Sequence, residues 1–439
     1  MPSADPGDLH AGRRTIEEGR LSTPPARCDV VVVGAGLAGL TAADRLSRAG
    51  LDVVVVESSD GVGGRVRSDR VDGFLLDRGF QVLNTGYPAA RRILDLDALD
   101  LREFRRAALL HVEGRRVRIG DPRRELLALP RAVTAPIGGL RSKAALAAYA
   151  GATVGLPAGR VKGRRDLPTV DHWTRHGLHG PVVDRLLRPF FSGVVLEEEL
   201  TTSSRFVDLM LRMFARGSSV VPAGGMQQIA EQLASRLPAG SVHLQQPALG
   251  VDAREVATDA GTVAARAVVV ATDVDNADKL VGGGLERPKW KGVTTFYHAA
   301  ALPPLDEPIL LLDTDDDSPI NNTVVITAAA PSYSADQRAL VASSLVHDGR
   351  PPWDEAAVRS RLAVLYDVST ADWEHVSTYD IPRALPAMPT PHNFRKPVRH
   401  GAVFVCGDHR DTSSIQGALV SGERTALAVL DDLGVRAPH

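Results

Sequence analysis

The chain has 439 residues, long enough for two cores, so a cofactor domain with a separate substrate domain is the expected layout. Its 51 basic and 53 acidic residues give a net charge of −2, and no window carries a basic stripe with interleaved aromatics, which argues against a nucleic-acid partner. The two cysteines, Cys28 and Cys406, are too few for a disulfide framework and lack metal-ligand spacing, so a reducing, cytoplasmic setting is expected.

Residues 1–27 are polar, Pro/Gly-punctuated and free of an apolar stretch, and are expected to form a disordered tail rather than a signal peptide. No later segment approaches a membrane span, which leaves only peripheral membrane contact open. Residues 29–34, DVVVVG, read as a buried parallel strand. Leu37, Leu40, Ala43 and Leu46 then recur at helical spacing, with Gly50 as the stop, and LDVVVVE (51–57) is a second buried strand. Strand, helix and strand within about thirty residues make a βαβ unit. Hairpins are predicted around 66–76 and 108–118, helices at 140–152, 181–192 and 202–214, and a strand end, glycine turn and helix at 221–233. Short strands lead to Asp273. The segment 293–381 mixes strands with one helix near 354–365, and a strand at 401–408 precedes an amphipathic helix at 413–432.

Gly34-Ala35-Gly36-Leu37-Ala38-Gly39 fits G-x-G-x-x-G with a strand before it and a helix after it. The first glycine permits the turn, the second lets the backbone approach a diphosphate, and the third lets helix and strand pack closely. The diphosphate would sit on the helix N-terminus, where unpaired N–H groups favour negative charge. Glu57 ends the second strand, where a carboxylate can accept hydrogen bonds from an adenosine ribose. Gly63-Gly64-Arg65 follows with a second flexible turn and a guanidinium. NAD and FAD share such a cradle.

Residues Gly34 to Ser68 resemble the N-terminus of the FAD-dependent amine oxidase, protoporphyrinogen oxidase and phytoene desaturase superfamily, with the second and third of these the nearer kin. Its extended pattern R-x-G-G-R-x-x-[ST] is matched by Gly63, Gly64, Arg65 and Ser68, whereas Gly61 stands where an arginine is usual. LLDRGFQVL (75–83) resembles a segment that passes near the flavin ring, making Gly79, Phe80 and Gln81 candidate contacts. VPAGGMQQIAEQL resembles the P-x-G-G-M stretch before a helix, and Val251 falls where a backbone contact to adenine is usual. In VFVCGDHRDTSSIQGALVSG, the resemblance places Gly407 and Asp408 at the ribityl-phosphate region and aims a helix start at the ring. The N–H groups of Ile415, Gln416, Gly417 and Ala418 at that start are suited to stabilise negative charge.

The resemblance implies an α/β chain, α+β overall. A Rossmann-like FAD-binding domain would be assembled from 28–105, 217–292 and 395–439, with a mixed-sheet and helical substrate domain from 106–216 and 293–394. It implies noncovalent FAD, because the cysteine of covalent flavin attachment is missing. Amine oxidases of the family usually bracket the flavin with an aromatic pair and keep a lysine near its reactive nitrogen. Here Thr294, Thr295 and Phe296 lie in the comparable strand with Lys289 and Lys291 ahead of it, and Thr412-Ser413-Ser414 replaces the C-terminal aromatic.

These departures favour hydride transfer from a larger, apolar organic substrate, isoprenoid, polyene or tetrapyrrole-like, over an amine. No second dinucleotide motif occurs, so electrons are expected to leave to oxygen, a quinone or another diffusible acceptor. The alternatives are an amine oxidase, a redox-neutral flavin-dependent isomerase or dehydroxylase, and a flavin-free lipid-binding escort protein of the same fold. His409, His298 and Tyr297 are the acid–base candidates, each weighed against a packed structural role. No metal site is expected: His172, His176 and His179 lack the zincin glutamate, and DTDDD (313–317) reads as a solvated turn.

Overall fold

In a computed structural model of the chain, the described residues are 23–120, 134–315, 318–347 and 353–437. Most of the tail expected over 1–27 therefore lies outside them, as do the last two residues of DTDDD. The four valines of β1 (Val30–Val33) and of β2 (Val53–Val56) are all buried and pair in parallel, Val30 opposite Val53 and Val33 opposite Val56. Two-sided burial explains their unbroken apolar character, since a parallel strand is covered on both faces. The crossover is α1 (Leu37–Arg48), with Arg45 and Arg48 in its last turn, where cations meet the negative end of the helix dipole.

The parallel sheet gathers distant pieces of chain. On the other side of β1 lies β3 (Ala267–Val270), then β5 (Val403–Val405), with Val242–His243 outside β2 and Arg399–His400 closing the far edge antiparallel. Helix α5 (Ile415–Asp432) packs on α1 so closely that a side chain at Gly422 would collide with the Ala38 carbonyl. This contact holds the start of α5 beside the strand tips.

A seven-stranded mixed sheet forms the second layer system, in the order Glu374–Pro386, β4 (Trp290–Ala300), Ala339–Val346, Asn322–Val325, Leu310–Asp313, Ala107–Val112 and Arg115–Gly120. The helix Glu355–Tyr366 covers it through Leu362 and Tyr366, which pack with Phe296, Leu311 and Val341. Burying side chains of this size contributes roughly 1.5–3 kcal/mol each. Helices α2 (Leu140–Gly155), α3 (Arg188–Val195) and α4 (Ser204–Arg216) form the helical part, with Phe191, Phe206 and Met210 in the same core as the Rossmann-like valines.

Both predicted hairpins form, at Ser68–Val71 with Phe74–Asp77 and at Ala107–Val112 with Arg115–Gly120. The helix expected at 181–192 forms, with a π-helical segment over Val183–Leu187 that runs directly into α3. Within the mixed segment 293–381, the strand Asn322–Val325 gives way to one helical turn, which lets Thr327 Oγ1 accept the Leu340 amide. Among the described residues no helix is long and apolar enough to cross a membrane.

Candidate active site

The three motif glycines do different work. Gly34 has φ of +107°, and a Cβ there would sit 3.0 Å from Ala271 O. A Cβ on Gly39 would collide with the Gly34 carbonyl, so this glycine serves helix–strand packing. Gly36 differs: nothing lies within 4 Å of where its side chain would be, leaving its backbone bare toward an open cavity. Across that opening Gly63 and Gly64, both at positive φ, run beside Gly36, and the Gly63 amide donates to Ala35 O at 2.8 Å. Two stretches of unsubstituted main chain and the start of α1 thus face one space, the geometry that suits a diphosphate.

Glu57 lines this space with its carboxylate held in place: Ala35 N donates to Oε2 at 2.7 Å and Ser59 N to Oε1 at 2.9 Å. Deeper in, Arg65 makes a fork to Asp408, Nη1 to Oδ2 at 2.8 Å and Nη2 to Oδ1 at 2.6 Å. It also donates to Ala384 O at 2.8 Å and lies over the Trp290 ring. Gly79, Phe80 and Gln81 line the cavity, with Gln81 Nε2 donating to Arg65 O and Arg78 O and Phe80 set edge-on to Phe104. At the start of α5, Ser414 Oγ caps the Gly417 amide, and Ile415 and Ala418 face the cavity.

The cavity is continuous, about 1900 Å³, and runs from Glu57 and Ala248 past Gly407, Asp408 and Ile415 to a wall of apolar side chains on α2, α3 and α4. Ligand pockets commonly measure about 300–1,000 Å³. There is room for a dinucleotide and a second molecule.

Several sequence-predicted positions lie elsewhere. Val251 packs toward the neighbouring apolar clusters while Ala248, Leu249 and Gly250 line the cavity in its place. Gln416 Oε1 is taken by the Ala89 amide, and the bare Cα of Gly417 makes room for the Thr412 carbonyl rather than for a ligand. The acid–base candidates are displaced too. Tyr297 is fully buried and donates to Asp77 O at 2.7 Å, with burial raising its phenol well above the ordinary value. His298 points to the covering helix, 3.0 Å from Glu355 Oε1, and burial lowers its pKa. His409 is packed beneath Gly407 with both ring nitrogens unpartnered, and burial pushes its pKa down to about 4. None of the three lines the cavity.

The aspartate cluster is not a purely solvated turn. Asp313 is buried and clasped by Arg361 at 2.6 and 2.7 Å, and the same guanidinium reaches Asp315. His111 stands beside them, forming with Asp313 and Asp315 a group of metal-type ligands among the described residues, and Arg361 is hydrogen-bonded to both carboxylates. His172 stacks on His176 and faces Asp208, which Arg164 and Tyr149 also hold.

Residues 37–430 match the family of flavin containing amine oxidoreductases. The chain belongs to that family. By this membership it is a flavoprotein of the oxidoreductase class with FAD as its cofactor. It is 43% identical over 70 residues to coproporphyrinogen III oxidase of Propionibacterium freudenreichii subsp. freudenreichii, covering 16% of this chain and 13% of that protein. It is 48% identical over 79 residues to putrescine oxidase of Kocuria rosea, covering 18% and 16%. The matched stretches thus span under a fifth of either relative. A structure from Exiguobacterium sp. 255-15, described as a candidate protoporphyrinogen oxidase, superposes with a TM-score of 0.71 at 18% identity, covering 94% of this chain and all of the other.

Within this family frame the departure at Gly61 has a local account. The Arg67 guanidinium lies 3.0 Å from where a Gly61 side chain would begin and donates to Asp60 at 2.8 Å. A buried cation from the next turn therefore fills the space the glycine leaves. The apolar wall, by contrast, was not found from the sequence, because Phe190, Met210 and Phe214 look like any core residues there.

Proposed function

We propose that the protein is an FAD-dependent oxidoreductase that oxidises or desaturates an apolar organic substrate, isoprenoid, polyene or tetrapyrrole-like, with oxygen, a quinone or another diffusible molecule as final acceptor. The observation that carries this reading is the single cavity joining the bare glycine loops to the wall of Phe190, Phe214 and Met210. The main chain at Gly34, Gly36, Gly63 and Gly64 would hold the diphosphate, Glu57 the adenosine ribose, and Asp408 the ribityl hydroxyls. Arg65 would supply positive charge between the last two. Bound FAD supplies hydride acceptance, so the protein's own task is to orient a substrate C–H bond and exclude water. Ile415 and Ala418 at the α5 start, with Gly79 and Phe80 opposite, would frame the reacting face. Neither Cys28 nor Cys406 lines the cavity, in keeping with noncovalent FAD.

An amine substrate is the second reading, favoured by the putrescine oxidase match. Against it, Lys291 is committed to Glu197 at 3.5 Å, away from the cavity, and Ser413 and Ser414 stand where an aromatic would flank the ring. The test is purification, identification of the flavin released on heating, and anaerobic flavin bleaching against amines, porphyrinogens and carotenoid precursors. Bleaching by porphyrinogens or polyenes is the expected result. Bleaching by amines alone would overturn the substrate assignment, and a folded, colourless protein that refuses FAD would overturn the whole reading.

A further inference from the structure

Away from the cavity, one group of side chains is arranged in a way that hydrogen bonding alone does not explain. His111 and Asp313 are register partners on the parallel strands Ala107–Val112 and Leu310–Asp313, and Asp315 follows two residues later. His111 is only 3% exposed, and its Nδ1 is buried without a hydrogen-bond partner. That nitrogen is aimed at both acids, 3.8 Å from Asp313 Oδ1 and 3.6 Å from Asp315 Oδ2.

Neither tautomer of the imidazole satisfies this arrangement. As a donor, Nδ1 stands too far from either oxygen, since a good N–H···O bond measures about 2.7–3.2 Å. As an acceptor, it turns a lone pair toward two anionic oxygens. A cation between the three atoms resolves both, because two ligands bound to one zinc-type ion at about 2.1 Å lie roughly 3–4 Å apart. Arg361, on the helix Glu355–Tyr366, answers only part of the charge. Its Nη2 bridges Asp313 Oδ1 at 2.7 Å and Asp315 Oδ2 at 2.6 Å, and its Nε holds Asp313 Oδ2 at 2.6 Å. One guanidinium against two carboxylates leaves a negative charge over, and none of those three bonds reaches His111.

We infer that His111, Asp313 and Asp315 bind a zinc-type divalent metal ion, with Arg361 withdrawing Nη2 to admit it while Nε stays on Asp313. The donor set decides the class of ion: an imidazole beside two carboxylates suits zinc, whereas magnesium and calcium prefer oxygen alone. The Arg361 side chain is 20% exposed, which gives Nη2 a way out toward solvent. The ion clips together two strands whose first residues, Ala107, Ala108 and Leu310, line the cavity. Its role is to brace the substrate end, and it does not depend on which substrate is oxidised.

Calorimetric titration of the tag-free holoprotein with zinc chloride, and with magnesium chloride for comparison, tests this. A single equivalent of zinc should bind, magnesium should not at the same concentration, and bound zinc should raise the melting temperature with FAD content unchanged. Asp315→Asn, at an exposed position, and His111→Gln should each weaken zinc binding by about tenfold or more, since even groups that only orient a metal ligand are worth about 10–100-fold in affinity. Arg361→Gln, which removes the competing cation, should tighten it. The absence of saturable zinc binding by the unaltered protein would overturn the inference without any variant. Zinc affinity unmoved in Asp315→Asn would overturn it too, by placing the ion elsewhere, and weaker binding by Arg361→Gln would overturn the displacement of Nη2. A colourless protein that still binds zinc would defeat the oxidoreductase proposal and leave this one standing.

Discussion

The two ends of the cavity are built from different materials. At the nucleotide end the contacts are main chain: Gly34, Gly36, Gly63 and Gly64 present bare backbone, and strand tips and helix starts supply the polarity. At the substrate end they are side chains from α2, α3 and α4, where Phe190 lies edge-on to both Phe191 and Phe214 with centroids 5.1 Å apart. A backbone-made site constrains residue type at fixed spacings, because only glycine fits. A wall of side chains asks only for apolar residues of suitable size, which any core also asks for.

Two glycines three residues apart, Gly36 and Gly39, should respond to substitution in opposite ways. Gly39→Val places atoms into the Gly34 carbonyl, and overpacking against backbone should cost about 3 kcal/mol or more, enough to prevent isolation of folded holoprotein. Gly36→Val meets open space and an extended backbone at φ of −74°, so its melting temperature should stay within a few degrees while FAD is lost. Circular dichroism and flavin absorbance read the two effects separately. Equal destabilisation by both would mean that Gly36 serves packing and not a ligand.

Arg65→Met comes next. It removes the fork to Asp408 and the bond to Ala384 O, leaving a buried carboxylate without its cation. FAD retention on dialysis should fall by about tenfold, the scale of one charge-assisted bond. Because the Arg65 side chain is about a third exposed, global stability should change less than for a fully buried pair. Unchanged retention would move the diphosphate contact elsewhere.

How legible each part was follows the same division. The βαβ unit, both hairpins and the terminal helix were readable because valine runs, helical spacing and glycine punctuation have local causes. The strand Glu374–Pro386 was missed: it lies at a sheet edge, carries Pro382 and Pro386, and alternates polar residues toward solvent. The acid–base candidates were placed by proximity to motifs, and proximity does not fix direction. Tyr297 and His298 are neighbours on β4, so they point to opposite faces, one toward Asp77 and the other toward the covering helix. The cavity touches β4 only at Trp290 and Val293, before either is reached.

His409 gives a smaller test of the same lesson. Folded, it stays neutral down to about pH 4, whereas an unfolded histidine takes a proton near 6.5, so it withdraws stability as pH falls between those values. Asp77, with burial raising its carboxyl to about 6, acts oppositely: between about pH 4 and 6 the folded form holds a proton that the unfolded form lacks. His409→Leu leaves Asp77 in place and removes one unpartnered ring. At pH 5 it should recover about 2 kcal/mol of unfolding free energy relative to the unaltered protein, with FAD content and turnover unchanged at pH 7. Loss of turnover would restore His409 as an acid–base group.

Phe190→Ala should have the mildest effect and bears most directly on how the two ends divide their roles. Phe190 is half-buried, so truncation should cost about 1–2 kcal/mol, below the usual range for a fully buried phenylalanine. It touches the substrate wall and no nucleotide loop, so FAD content should be unchanged, while affinity for an apolar probe such as decanol should fall by about threefold to tenfold as contact area is lost. If instead FAD were released together with the probe, the wall and the cradle would be one cooperative unit, and the separation between backbone-made and side-chain-made recognition would not hold for this chain.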